Sequence, residues 1–267
     1  MRISFSILSL LCLIFIGEAD IERDRSVSLQ IANYKADSFW KGTKEINLSS
    51  NPIKIQLNTL QLEWNSNQEN IRYFFNTGTI SSKRMGMESK GLFDTKCGFK
   101  IKCGDPDPFL EWNQFIMINL IIKGSYDEEK MNAAGDGANG FESSFILSKQ
   151  FPNFSAAQSH AFGIIFKDNQ VPTEMYYHFN LSKSWSTFYT NLDLNYQSSL
   201  NGIYIGETGY SFPSDLNKIK ESNASYNLSI HKKYKSYMAS LSYLNTFKGR
   251  NTNQLKGFSL QLTHFIK

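Results

Sequence analysis

Four histidines, His160, His178, His231 and His264, are the side chains of this 267-residue chain best suited to proton transfer near neutral pH. They are far apart in sequence and lack the His-Glu-x-x-His or Cys-His spacing of a metal centre. A polar strand face often holds such residues with no catalytic part. His178 and Ser182 fall on one face of a strand, and acyl hydrolases can be built on barrels with Ser and His on neighbouring strands. There is no Gly-x-Ser-x-Gly and no identifiable third member. The sequence therefore assigns no catalytic residue and no cofactor.

Cys97 and Cys103 enclose Gly98-Phe99-Lys100-Ile101-Lys102. In an oxidising compartment so close a pair reads as a disulfide closing a small loop or hairpin tip. The metal alternative lacks two further ligands at workable spacing, so no metal is expected. Several carboxylates lie in the stretch from Gly124-Ser125-Tyr126-Asp127-Glu128-Glu129-Lys130 to Gly135-Asp136-Gly137. The oxygen-ligand spacing of an EF-hand is missing, and a solvated external loop is the simpler reading.

A more specific chemistry belongs to Asn180, Tyr189, Asn191, Asp193, Asn195, Asn227, Ser229, Ser240 and Ser242, which alternate with apolar residues. On the inner face of a barrel, such amides and hydroxyls with an interspersed aromatic would hydrogen-bond and stack on sugars without holding them tightly, as the passage of a polar solute requires. Arg250 and Asp136 fall near the expected loop mouths. The competing reading is a small barrel that fills its lumen with this polar network and conducts nothing.

These residues need strands to position them, and the pattern supplies strands. Met175, Tyr177, Phe179 and Leu181 alternate with Tyr176, His178, Asn180 and Ser182; Phe188, Thr190, Leu192, Leu194 and Tyr196 alternate with Thr187, Tyr189, Asn191, Asp193 and Asn195. Leu147-Ser148-Lys149-Gln150-Phe151, Leu181-Ser182-Lys183-Ser184-Trp185 and Ile230-His231-Lys232-Lys233-Tyr234 repeat one arrangement of apolar residue, Lys and aromatic, each ending such a run. Turns flanked by aromatics suggest hairpins at a membrane interface.

Further strands are expected at Val27 to Ile31, Ile53 to Leu57, Leu60 to Trp64, Ile71 to Phe75, Leu110 to Ile122 and Phe258 to Ile266. The phase slip at Asn58-Thr59 suggests a turn or bulge. Residues 81 to 108 read as an extended loop carrying the cysteines and Asp105-Pro106-Asp107-Pro108.

The fold class is all-β, and two architectures compete. A soluble sandwich buries its apolar faces; a transmembrane antiparallel up-and-down barrel turns them to lipid. Strands of about 9 to 12 residues, aromatics near strand ends and alternation of short and long loops favour the barrel, with about 12 strands and 10 or 14 as alternatives. Against it, the chain ends Phe265-Ile266-Lys267 where many such barrels end on an aromatic.

The pI of about 8.8 and net charge of +4 are mild, and scattered Lys and Arg make nucleic acid an unsuitable partner. Arg2 followed by the apolar stretch Ile7 to Ile16 and by Gly17-Glu18-Ala19 predicts a signal peptide cleaved near Ala19, with residues 20 to 267 forming one barrel domain.

From Lys123 onward the chain resembles the XagA-like outer-membrane proteins, bacterial barrels associated with exopolysaccharide systems. The matching pieces are Gly124-Ser125-Tyr126-Asp127, Gly135-Asp136-Gly137 with Phe141-Glu142, and Leu147-Ser148-Lys149-Gln150-Phe151, then Val171-Pro172-Thr173-Glu174 and Phe247-Lys248-Gly249-Arg250-Asn251. The resemblance implies an outer-membrane barrel that helps an extracellular polysaccharide leave the cell, and it supplies no catalytic residues. A broader resemblance, to transporter-like barrels linked to uptake of aromatic compounds, competes with it. The partners expected are outer-membrane lipid and a polysaccharide or small polar solute.

Overall fold

The computed structural model describes residues 25–66, 70–104, 111–126, 138–168, 171–205, 208, 211 and 218–266. The expected leader, Asp136 and the Asp105–Pro108 stretch lie outside the described residues. The strands are β1 (Arg25–Lys41), β2 (Lys44–Asn47), β3 (Ile53–Asn65), β4 (Ile71–Arg84), β5 (Met87–Leu92), β6 (Thr95–Lys102), β7 (Asn113–Ile122), β8 (Gly140–Phe151), β9 (Ala156–Lys167), β10 (Glu174–Ser184), β11 (Tyr189–Ser199), β12 (Ser222–Tyr234), β13 (Tyr237–Arg250) and β14 (Asn253–Ile266).

Every pairing between these strands is antiparallel, and β14 returns to β1 in register from Arg25↔Ile266 to Lys35↔Lys256. The short β2 and β3 pair with successive parts of β1, and β5 and β6 with successive parts of β4, so fourteen segments build twelve staves. Closure matters in lipid, where an unpaired edge would leave backbone groups with no partner.

The ladder decides which side faces out. The cross-strand pairs Ile31↔Leu260, Phe145↔Phe162 and Leu192↔Leu228 put apolar side chains on the outer wall. Ile31 is 53 % exposed, Leu260 59 % and Phe162 51 %. A continuous girdle of such residues is a lipid-facing belt, not the surface of a soluble sandwich. The buried inner positions include Ser28, Asn119, Ser144, Ser229, Ser240, Ser259 and Thr263. The all-β barrel is the fold, and its twelve staves match the expected count.

The start of β1 and the end of β14 share one end with the turns Pro152–Ser155, Trp185–Phe188 and Lys235–Ser236, while the strand ends that flank the longest connections, 123–139 and 200–221, lie at the other. Short turns mark the periplasmic side and long loops the outside. All three copies of the repeated Lys–aromatic arrangement sit at these short turns, and in two of them the lysine lies over its aromatic, Lys149 over the Phe151 ring at 5.6 Å and Lys183 over Trp185 at 5.1 Å. Aromatics at such turns suit the membrane interface, and Lys149 also pairs with Glu111 at 3.4 Å.

Three sequence expectations are corrected. Residues 81 to 102 are not loop: β4 runs to Arg84, turns at Met85-Gly86 and returns as β5, and β6 follows. Beyond the lipid belt water touches the outer face, so the apolar half of the alternation disappears and strand looks like loop. No turn or bulge interrupts Asn58-Thr59; β3 pairs with β1 and β4 without a register shift across it. The phase slip is an inversion of polarity instead. Leu60, Leu62 and Trp64 face lipid, whereas nearer the outer end Ile53, Ile55 and Leu57 turn inward beside Ala32 and Ala36, leaving Lys54 and Gln56 outside. Finally, Cys97 and Cys103 are free thiols. Cys97 lies on the outward phase of β6, and Cys103 follows one residue past its end, where its N–H still donates to Gln114 of β7. Six extended residues separate them by about 20 Å, where a disulfide needs Cα atoms within about 7 Å.

The long strand expected from Leu110 begins at Asn113, because Glu111 takes a left-handed φ of 56° and cannot continue a ladder.

Candidate functional site

The inner wall of β10–β13 gathers most of the polar residues singled out in the sequence. Antiparallel register places Asn180 opposite Asp193, Asp193 opposite Asn227, Asn195 opposite Ser225, and Asn191 opposite Ser229. Ser229 in turn faces Ser242, and His231 faces Ser240. Side chains opposite one another on antiparallel strands share a face, so these residues form one inward patch.

Asp193 is its centre. The Asn180 amide donates to Asp193 Oδ1 at 2.6 Å, and His178 Nε2 lies 3.0 Å from the same oxygen. On the other oxygen, Asn227 Nδ2 donates at 3.3 Å and Asn191 Nδ2 at 3.5 Å. A carboxylate so surrounded is a fixed negative charge with its lone pairs occupied, not a free general base. His231 is equally engaged, with Ser229 Oγ 2.8 Å from Nε2, Ser240 Oγ 2.7 Å from Nδ1, and the Tyr189 ring stacked at 4.2 Å.

His178 and Ser182 share the inward phase but stand four residues apart on β10, about 13 Å, too far for one to deprotonate the other. His160 belongs to the outer wall, opposite Phe179, where it contacts Trp112, Tyr177 and Phe179 rings. His264 is also outward, stacked on Tyr237. Arg250 stands at the outer end of β13 with its guanidinium 4.1 Å from the Tyr204 ring centre, on the outward phase rather than among the inner amides.

The structure adds a wall that sequence reasoning missed. Lys96, Lys100 and Lys102 of β6 and Arg72 of β4 all follow the inward phase. β6 and β11 lie five staves apart in the ring of twelve, so these cations stand across the barrel from Asp193. Some of the charge is compensated: Lys96 pairs with Glu142 at 3.0 Å, and Arg72 lies 3.8 Å from Glu63. Tyr176 donates to Glu142 at 2.6 Å and lies directly over Gly163, where an added Cβ would come within 2.4 Å of the ring. The signal was present as Lys96, Lys100 and Lys102 alternating with Cys97, Phe99 and Ile101. The cysteine pair drew the reading toward a loop instead.

At the periplasmic end the inner wall opens into a cavity of about 370 Å³ lined by Gln150, Ala157, Ser182, Ser184 and Tyr189 among others. A polar wall holding one carboxylate and facing a cationic wall sets a field across the lumen.

No family model matches the chain, and no curated protein matches its sequence. Solved structures do share its fold. An outer membrane channel from Pseudomonas putida F1 superposes with a TM-score of 0.69 at 10 % identity, over 93 % of this chain and 99 % of that one. The translocator domain of the autotransporter NalP from Neisseria meningitidis gives 0.52 at 9 % identity, over 98 % and 94 %. LpxR from Salmonella typhimurium gives 0.51 at 7 % identity, over 90 % and 100 %. At such identities the likeness is one of fold, and it agrees with the lipid-facing belt: this chain is a closed twelve-stave β-barrel of the bacterial outer membrane.

Proposed function

We propose that the barrel gives a polar solute a path across the outer membrane and does so without catalysis. The observation that carries this reading is the inner patch of Asn180, Asn191, Asn195 and Asn227 with Ser229 and Ser242, set beside the Tyr189 ring and around one fully engaged carboxylate, Asp193. Amides and hydroxyls exchange hydrogen bonds with a hydroxylated solute at little net cost, and an aromatic face lets a sugar ring slide past. A saccharide polymer suits that chemistry. Export of an exopolysaccharide is the finer form of the proposal, supported by the resemblance of the motifs from Lys123 onward to the XagA-like proteins.

The non-enzymatic reading is supported by the separation of Ser182 from His178 and by the engagement of both His231 nitrogens with serine hydroxyls. A hydrolase would need these groups to converge.

Swelling of liposomes carrying the purified barrel tests the proposal. Neutral oligosaccharides are expected to enter faster than into protein-free vesicles. Entry at the protein-free rate for every sugar, from a barrel shown to be folded, would overturn it. So would ester hydrolysis that disappears in His178→Ala.

A further inference from the structure

The outer wall carries a feature that passage through the lumen does not use. Lys256 of β14 lies directly opposite Lys35 of β1, Lys35 opposite Lys54 of β3, and Lys54 opposite Lys83 of β4. Four lysines thus form an unbroken cross-strand row on the outward phase, and Lys90 of β5 joins them on the same face, opposite Ser81. Like charges directly opposite one another destabilise a sheet. Stability of the fold alone does not account for such a row.

Two carboxylates partly offset the repulsion. Asp37 holds Lys35 at 2.7 Å and Lys256 at 2.6 Å; Glu88 holds Lys83 at 3.0 Å and Lys90 at 3.1 Å. Five lysines against two carboxylates leave +3 on the patch. Lys54, at the centre, is exposed and makes no ion pair among the described residues.

The position of the row specifies its partner. Toward the termini the same strands turn Val27, Leu29, Ile31, Leu60, Leu62, Leu260 and Leu262 to lipid. Lys35 stands four residues, about 13 Å, beyond Ile31 toward the end that bears the long loops. The row therefore meets the membrane at the headgroups of the external leaflet. The wall is concave there: a groove of about 630 Å³ is lined by Lys35, Lys54, Lys83 and Lys256, with the rings of Tyr243 and Phe258, in tilted contact at 4.9 Å, at its apolar lip.

We propose that this groove binds the phosphorylated headgroup of an anionic glycolipid of the outer leaflet, its phosphates on Lys54 and the flanking lysines and its acyl chains along the Leu60–Leu262 belt. The barrel would then carry a fixed lipid at the β14–β1 seam. Lysines near an anionic surface each add about five-fold to binding at moderate salt. Because Asp37 and Glu88 neutralise their neighbours in part, Lys54 should matter most of the single residues.

The test is binding of the full barrel in neutral detergent to purified lipid A, with zwitterionic phosphatidylcholine and inorganic phosphate as comparison ligands. Lipid A is expected to bind in preference to phosphatidylcholine and to resist competition by millimolar phosphate. Lys54→Gln should weaken binding about five-fold, Lys54→Arg should preserve it, and Lys35→Gln/Lys54→Gln/Lys83→Gln should weaken it about a hundred-fold. Each variant is first shown to keep its heat-dependent gel mobility, and Lys54→Gln, which removes only an exposed charge, secures a folded comparison. Equal binding by wild type and Lys54→Gln would overturn the proposal. So would full competition by inorganic phosphate, which would make the groove a site for free anions.

Discussion

Asn180 and Asp193 face each other across the β10–β11 pair, and the Asn180 amide donates to Asp193 Oδ1 at 2.6 Å. Asn227 reaches the other carboxylate oxygen from the far side, on β12. One carboxylate thus ties three staves together inside the barrel. Asn180→Ala removes a donor and should cost about 1 kcal/mol, whereas Asp193→Asn turns an amide toward several donors and should cost more, about 1–3 kcal/mol. Both are read as a lower temperature for the gel-mobility shift that marks barrel unfolding. No shift in either variant would mean the network does not bear on stability.

Tyr176 lies over Gly163 and donates to Glu142, so a methyl group at position 163 must displace the ring. Gly163→Ala should destabilise the barrel by about 1–3 kcal/mol. Gly163→Ala in a Tyr176→Ala background should cost far less, since the ring it strikes is gone. Additive effects in that double-mutant cycle would contradict the contact.

Cys97 and Cys103 are predicted to be free thiols. Protein unfolded without reductant should take a maleimide label on both peptides, and reductant should not change its gel mobility. An intact Cys97–Cys103 linked peptide would contradict the placement of Cys97 within extended β6 and Cys103 just past its end.

At the outer rim, hydrogen bonds from Lys256 and Lys35 hold the Asp37 carboxyl below its usual range, and those from Lys83 and Lys90 do the same for Glu88. A depressed acid lends stability above its unfolded pKa of about 4, and loses it as pH falls through the folded value. Both groups are part-exposed and paired with exposed lysines, so the effect is small and screened by salt. Acid should loosen the β4–β5 hairpin first, read as faster pepsin cleavage between Met85 and Leu92 as pH drops below about 4. Glu88→Gln should remove that pH dependence while leaving the rest of the barrel unaffected.

The second half of the molecule was legible because β8 to β14 cross lipid for most of their length. There one face must be apolar and the other polar, and that contrast is visible as Phe179-Asn180-Leu181 or Leu192-Asp193-Leu194. The first half hides its strands for two reasons. Between Gln56 and Lys54, and again from Ser81 to Lys90, the staves leave the hydrocarbon belt for the headgroup level, so polar residues face outward and the expected contrast reverses or vanishes. In β6 an alternation of lysines with apolar residues was masked by two cysteines whose spacing suggested a loop. His160 shows a further limit: its strand was readable, but its placement on the lipid side depends on pairing with Phe179, a register no single strand reveals.

Single-channel conductance in planar bilayers tests the central claim most directly. Discrete conductance steps are expected for the wild-type barrel, with Asp193→Asn shifting its ion selectivity further toward anions because the fixed negative charge facing Lys100 and Lys102 is lost. A folded, membrane-inserted barrel that never conducts would contradict solute passage, and would make the polar network of Asn180, Asn191, Asp193 and Asn227 a structural filling of the lumen.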